Sequence, residues 1–327
     1  MLEPIVELNI PFREPMVIYK NEFRGHGEGP LISLVSGIHG DELNGIYLLT
    51  CLSAFLEEVV QGKEPNYKLR GTVRIIPVVN VPGVNFAGRN WPFDNTDINR
   101  MFPGYDQGET TQRIADGIFQ ATKDSDYAID IHSSNEQFYE IPHVRTFYPD
   151  DHELKLAPYL GCPYLLHREL TPIYKTQLSY HWKETAVSPY ILMLGVARQI
   201  EEPIVQQVCQ GLIDFMVATK ILEGPPLETP KPIPLFGATN TNLVLSQAAG
   251  IFRPCAIVGT EQRQGDLLGH IYNVLTGALE EEVRAPASGL LAGLRTYPMV
   301  YEKELLARIF SSDENPGNRT DIWYPEQ

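Results

Sequence analysis

The sequence predicts an α/β protein, with a mixed central sheet flanked by helices and a small all-β unit after it. Two patterns carry this. Up to about residue 222, short apolar runs rich in β-branched residues alternate with amphipathic helical stretches, the pattern of a sheet with helices packed on it. Beyond GPPLETPKPIP at residues 224–234, only short β-like runs remain, broken by Gly250, Gly259, Gly265, Gly269, Gly277, Gly289 and Gly293. Many short strands with glycine turns make a small β-domain. A semi-rigid proline-rich stretch marks a domain boundary. The expected division is therefore an α/β domain at residues 1–224, a linker at 225–234, and a β-domain with tail at 235–327.

The elements follow in order. Residues 32–36 (ISLVS) read as a buried strand that ends in the turn Gly37-Ile38-His39-Gly40. Asp41 is a plausible helix N-cap, and Leu43, Ile46, Tyr47, Leu49, Leu52 and Phe55 form one apolar helical face reaching about Val59. Residues 72–79 (TVRIIPVV) make a second strand. Residues 80–107 are rich in Gly, Pro and Asn and lack periodicity; a loop this long inside a compact domain is usually functional. A helix at 111–122 and a strand at 127–132 follow, then strands at 164–166 and 190–194 and helices at 178–185 and 202–222.

Length and charge bound the function. At about 100–200 residues per domain, 327 residues suit two units. The formal net charge of −15 argues against nucleic-acid or anionic-membrane binding, which need a basic footprint. Cys51, Cys162, Cys209 and Cys255 are scattered, with no CxxC pair, as expected of free thiols in a reducing compartment. There is no secretory signal pattern and no run approaching 18 apolar residues, so the expected location is cytoplasmic. An exposed edge of the β-unit leaves room for a homo-oligomer.

Chemistry concentrates in Ser36-Gly37-Ile38-His39-Gly40-Asp41-Glu42-Leu43-Asn44-Gly45. His39 and Glu42 fall where a strand hands over to a helix, the place where α/β sheets bind ligands. His132 ends another apolar strand, in Asp130-Ile131-His132-Ser133-Ser134. Two histidines and a carboxylate are the ligand set of a catalytic Zn²⁺ that keeps a position open. An isolated H-x-x-E is weak, and His181-Trp182-Lys183-Glu184 repeats the spacing on what reads as a solvated helix face. The joint occurrence of the two segments carries the signal. Between them lie Asn80-Val81-Pro82-Gly83-Val84-Asn85, Arg89, and Thr96-Asp97-Ile98-Asn99-Arg100-Met101-Phe102-Pro103-Gly104. Arginine is suited to bidentate carboxylate recognition, and asparagine to orienting a polar substrate.

Together these segments resemble the succinylglutamate desuccinylase/aspartoacylase family of zinc-carboxypeptidase-like hydrolases. GIHGDELNG, NVPGVN, DINRMFPG and DIHSS carry the resemblance, which covers roughly residues 30–225 and looks closest to the broad bacterial branch. It implies a zinc-carboxypeptidase-like fold and one Zn²⁺ bound by His39, Glu42 and His132. It implies that Arg89, Asn99 and Arg100 bind substrate, with Arg100 holding a carboxylate or polarising the scissile carbonyl. The implied reaction is hydrolysis of the amide of an N-acyl amino acid or a related small carboxylate.

The sequence departs from the family at one position. The family's general base is a glutamate in a strand ending E-x-G; here that strand reads PYILMLG, and Met193 stands in its place. Methionine carries no proton, and loss of a general base typically costs ~10²–10⁴-fold in rate. Glu184 and Glu201 are the nearest acids in sequence, and Glu184 is the candidate substitute base. Three functions fit: a zinc amidohydrolase or deacylase, a zinc-binding pseudoenzyme or sensor, and a carboxypeptidase-like peptidase with Arg100 gripping a terminal carboxylate.

Two further segments are informative. VRAPASGLL at residues 283–291 resembles a turn of biotinyl and lipoyl carriers, yet no lysine lies between Lys231 and Lys303, which excludes a carrier role. Tyr301-Glu302-Lys303 resembles a tail segment in which aspartoacylase places a substrate tyrosine, making Tyr301 a candidate. Pro142, His143 and Arg145 follow His132 closely enough to line its pocket.

Overall fold

A computed structural model describes residues 2–11 and 14–311. It has a nine-stranded mixed sheet, ordered β1-β2-β5-β3-β6-β10-β8-β9-β12. The chain enters through β1 (Leu2–Leu8) and β2 (Met16–Arg24), an antiparallel pair on one edge. β3 (Leu31–Val35), α1 (Leu43–Val60), β4 (Lys68–Leu69) and β5 (Thr72–Ile76) follow. The segment expected as one long loop holds α2 (Val81–Asn85) and a 3-10 turn at Ile98–Arg100, before α3 (Thr110–Thr122). Then come β6 (Tyr127–Ser134), β7 (Phe138–Glu140), β8 (His143–Thr146), α4 (Asp151–Leu156), β9 (Leu165–His167), α5 (Leu178–Glu184), β10 (Ser188–Val196), α6 (Glu202–Ala218), β11 (Leu222–Glu223) and β12 (Leu235–Phe236).

The centre is parallel: β5, β3, β6 and β10 run together. These strands are buried on both faces and so read as near-continuous apolar runs rather than alternating ones. Ile129, Ile131, Leu192 and Leu194 face one layer, packed with Leu48, Leu52, Val208 and Leu212 of α1 and α6. Ala128 faces the other, with Ile114, Ile118, Leu178 and Trp182 of α3 and α5. α1 spans 18 residues with a mean hydropathy of 1.4, long and apolar enough by length and composition to cross a membrane, although Asn44, Thr50, Glu57 and Glu58 interrupt its apolar run. Here it packs on β6 and α6.

The C-terminal part folds as two facing sheets. β13 (Thr241–Leu245), β15 (Glu261–Gln262), β18 (Gly289–Arg295) and β20 (Leu305–Phe310) form one. β14 (Gly250–Pro254), β16 (Leu267–Tyr272), β17 (Leu279–Arg284) and β19 (Met299–Val300) form the other. Phe252, Leu268, Ile271, Leu291 and Leu306 fill the space between them. Two strands tie the parts together. β7 adds to the C-terminal sheet by pairing with β18, and β12 extends the large sheet beside β9.

Several expectations need revising. The structure adds β1, β2, β7, β8 and α4 to the expected elements. The strand expected over 72–79 ends at Ile76, because Pro77 removes a ladder donor. Helix α6 stops at Ala218, and Leu222–Glu223 is a short strand instead. Asp41 does not cap α1; Glu42 occupies the cap position without a capping side-chain bond, because its carboxylate is turned to the histidines described next.

Candidate metal centre and its cavity

His39 and Glu42 sit in the turn after β3, and His132 near the end of the neighbouring β6. Backbone packing holds that turn. Gly40 lies so close to Gly83 of α2 that a Cβ on Gly40 would overlap the Gly83 backbone. The Gly40 amide donates to the Arg89 carbonyl at 3.1 Å. Asn80 caps α2 by accepting from the Gly83 amide at 2.9 Å, and its side-chain amide donates to the same Arg89 carbonyl at 3.3 Å. GIHG and NVPG are thus two halves of one interlock, which also fixes Arg89.

One ligand atom each from His39, Glu42 and His132 lie within 4.8 Å of one another, and all three residues are buried. Glu42 is the hub. Its Oε1 is 2.8 Å from His39 Nδ1 and accepts from Arg89 Nη1 at 2.8 Å. Its Oε2 is 2.9 Å from His132 Nδ1 and accepts from the Ser133 amide at 3.1 Å. The opposite nitrogen of each ring faces an acid: His39 Nε2 is 3.1 Å from Asp97, and His132 Nε2 is 3.0 Å from Asp130. The Asn99 side-chain amide lies 3.4 Å from His132 Nε2.

The charges follow from these contacts. Burial disfavours the charged imidazole of His39, but Glu42 and Asp97 outweigh it and raise its pKa. For His132, burial is likewise overcome by Asp130 and Glu42, to about 10. Burial pushes the carboxyl of Glu42 up, while His39 and His132 pull it well below the usual range. Asp97, raised by burial, is drawn down by His39 to about 2.

These residues fit a metal. His39 Nδ1 is buried with no well-formed hydrogen bond although it is 2.8 Å from Glu42. Both histidines turn Nδ1 to the shared point and Nε2 to a carboxylate, the hydrogen-bonding pattern that orients metal-ligating imidazoles.

A cavity of about 530 Å³ next to the cluster is lined by Asp41, Arg89, Ser134, Glu140, Arg145 and Met193, among others. Met193 therefore faces it. Of the other sequence candidates, Asn99 is buried against His132, and Arg100 is part-exposed, 3.8 Å from Asp97. Glu184 is exposed and lines a different cavity of about 240 Å³. Glu201 is occupied elsewhere: its Oε2 accepts from the Val196 amide at 2.9 Å, and its own amide donates to Asn44 Oδ1 at 2.8 Å. Tyr301 is 76% exposed and lies outside the cavity lining. Asp97, Asp130 and Glu140 had no expected role. Asp130 is recoverable from sequence, because positions two apart on a strand share a face.

A largely parallel sheet that brings two imidazoles and a carboxylate to one point at its carboxyl edge defines an α/β protein with a candidate catalytic metal centre. Residues 28–218 match the model of the succinylglutamate desuccinylase/aspartoacylase catalytic domain. The chain belongs to that family. It is 28% identical over 303 residues to the N-alpha-acetyl-L-2,4-diaminobutyric acid deacetylase of Halomonas elongata, covering 89% of this chain and 85% of the relative. In fold it is similar to a succinylglutamate desuccinylase/aspartoacylase from Rhodobacter sphaeroides, with TM-score 0.79, 20% identity and 96% of each chain covered. The product-bound ectoine utilization protein EutE (DoeB) from Ruegeria pomeroyi matches with TM-score 0.76 and 21% identity, over 91% of this chain and 90% of that one.

Proposed function

We propose that the chain is a cytoplasmic, zinc-dependent deacylase that hydrolyses the amide of a small N-acyl amino acid or related carboxylate. The observation that carries this reading is the convergence of His39 Nδ1, His132 Nδ1 and the Glu42 carboxylate, beside a cavity that Arg89 enters. The family's deacylating relative supports it.

His39, Glu42 and His132 would hold one Zn²⁺. Bound there, a Zn²⁺ would supply Lewis acidity, the chemistry that acidifies water and polarises a carbonyl. Asp97 and Asp130 hold the two imidazoles in the tautomer that keeps Nδ1 free to ligate. Arg89, Asn99 and Arg100 orient the substrate, and Arg89 or Arg100 stabilises negative charge on the reacting carbonyl oxygen.

Proton transfer is the weak step. Among the carboxylates lining the cavity, Glu140 is engaged by Arg308 and Ser134, and Glu136 by Arg198. Asp41 has a buried oxygen, Oδ1, without a hydrogen-bond partner. Met193 on the cavity wall favours a second reading, a protein that binds an acylated amino acid with little or no turnover.

Incubating zinc-loaded protein with a panel of N-acetyl and N-succinyl amino acids, and measuring the free amine released, tests the first reading. Amine release that stops on chelation supports it. No release from any member overturns it in favour of the binding reading.

A further inference from the structure

We propose that Arg145 and Arg168 form a carboxylate-binding subsite on the sheet face that carries His132, one that grips a substrate carboxylate remote from the scissile amide. This rests on the deacylase reading for the identity of the ligand, but not for the existence of the subsite.

Register places the two arginines. Met193 on β10 pairs with His132 on one side and with His143 on the other, and Ile191 pairs with Arg145. Arg145 in turn pairs with Leu166 on β9, and the Arg168 amide extends that ladder by donating to the Thr146 carbonyl at 3.0 Å. Residues paired across strands, and residues two apart along them, share a face. His132, Met193, His143, Arg145 and Arg168 therefore line one face. With strands about 4.8 Å apart, β8 lies roughly 10 Å from β6. A guanidinium reaching back from β8 meets a group a few carbons from a carbonyl held at His132. Arg145 also borders both cavities, the one at the metal cluster and the smaller one walled by Ser179, Tyr180 and Lys183.

These half-buried arginines lack the ion-pair partners that buried arginines of the described chain have. Arg74 is paired with Glu22 and Asp124, and Arg308 with Glu140. Among the described residues Arg145 and Arg168 form no ion pair, and the Nε of each is buried without a hydrogen-bond partner. Lys183, the nearby cation, is already committed to Glu153 and Asp150. Burial and the adjacent Arg168 charge lower Arg145 to about 10, so it stays charged near neutrality against both. Burial and Arg145 also hold His143 down, to about 3, so the imidazole between them and Met193 adds no charge. Two partly desolvated guanidiniums beside each other are costly unless an anion joins them. A carboxylate presents two oxygens to such forks. A free N-acetyl group offers no such charge, so the subsite selects either for a dicarboxylic acyl chain or for the amino acid's own carboxylate.

Calorimetric binding of three probes separates these sources: N-acetylglycine, N-succinylglycinamide and N-acetylglycinamide. The proteins are zinc-loaded wild type, Arg145→Gln, Arg168→Gln and Arg145→Lys. Each Gln variant should weaken one or both carboxylate probes by about 10–100-fold, leave the neutral amide within about twofold, and melt no lower than wild type. Arg145→Lys should recover part of the loss. The probe that is weakened identifies the carboxylate that the subsite holds. Equal effects on charged and neutral probes, no effect on any, or a lowered melting temperature in both Gln variants overturns the subsite. Selective loss of binding in a protein that releases no amine leaves the subsite standing and removes the deacylase reading. Amine release that Gln substitution leaves equally selective does the reverse.

Discussion

Met193 lies directly across from His132 in the parallel pairing of β10 with β6, and its side chain borders the cavity beside the metal cluster. A carboxylate at that position would share a face with the ligand. A thioether there excludes water and moves no proton. Restoring an acid is therefore the direct test of what Met193 costs. Met193→Glu should raise kcat for N-acyl amino acids by about 10²-fold or more, the typical contribution of a positioned general base. The pH profile should gain an acidic limb set by the new carboxyl. An unchanged kcat would mean that another group already transfers the proton.

The two acids behind the histidines should govern metal affinity more than stability. Asp97 is 3.1 Å from His39 Nε2 and Asp130 is 3.0 Å from His132 Nε2. Asp97→Asn and Asp130→Asn should each weaken Zn²⁺ binding by about 10–100-fold, measured by chelator competition. His39→Ala and His132→Ala should remove tight binding altogether. Wild-type affinity in both Asn variants would refute the orienting role.

The cluster itself was legible because its members sit at element ends. A strand-turn-helix handover can be read from periodicity, so His39, Glu42 and His132 could be named without coordinates. Their proximity could not, because it depends on β3 and β6 being neighbours. Weak alternation, short length and distant pairing hide the other elements. β1 and β2 leave little trace in the sequence because alternation on an edge hairpin is weak beside the long apolar runs of β3, β6 and β10. β7 has only three residues, and its pairing partner lies far along the chain in β18. The proline-rich segment was legible as a break. That its end enters the large sheet as β12 was not, because two residues carry no period. Glu184 is near Met193 along the chain, yet α5 and β10 direct it to another cavity.

Acid stability should depend on Glu22. It pairs in register with Arg74 across β2 and β5, with its Oε2 2.9 Å from Arg74 Nε, and it also meets Arg24 and Lys20. Burial raises its pKa, but these three cations bring it down to about 2. A pKa depressed on folding adds stability that is present above the unfolded value, roughly 4.5, and is lost as pH falls through about 2. Urea melts at pH 7 should show Glu22→Gln less stable than wild type by on the order of 2 kcal/mol. The gap should close by pH 2. A gap that persists at pH 2 would assign the loss to packing rather than to charge.

The ion pair between Glu140 and Arg308 should decide how firmly the C-terminal sheets hold the cavity wall. Gly293 on β18 is the register partner of both, Glu140 on β7 and Arg308 on β20. A Cβ at Gly293 would overlap the Phe138 ring and press on the Glu140 side chain, so the glycine leaves room for both on that strand. Both side chains are 8% exposed, and Ser134 donates to the free oxygen of Glu140 at 3.0 Å. Removing one partner strands a buried charge, at a cost of about 3–5 kcal/mol, whereas replacing both by neutral groups of similar size is often close to neutral. Arg308→Met should therefore lower the melting temperature strongly, and Arg308→Met combined with Glu140→Gln should recover most of that loss. Because Glu140 also lines the cavity, the single variant should weaken substrate binding as well, and the double variant should restore it in part. A double variant no more stable than Arg308→Met would mean that the pair is an independent stabilising contact rather than a mutual neutralisation. In that case the wall would depend on the pairing of β7 with β18 alone.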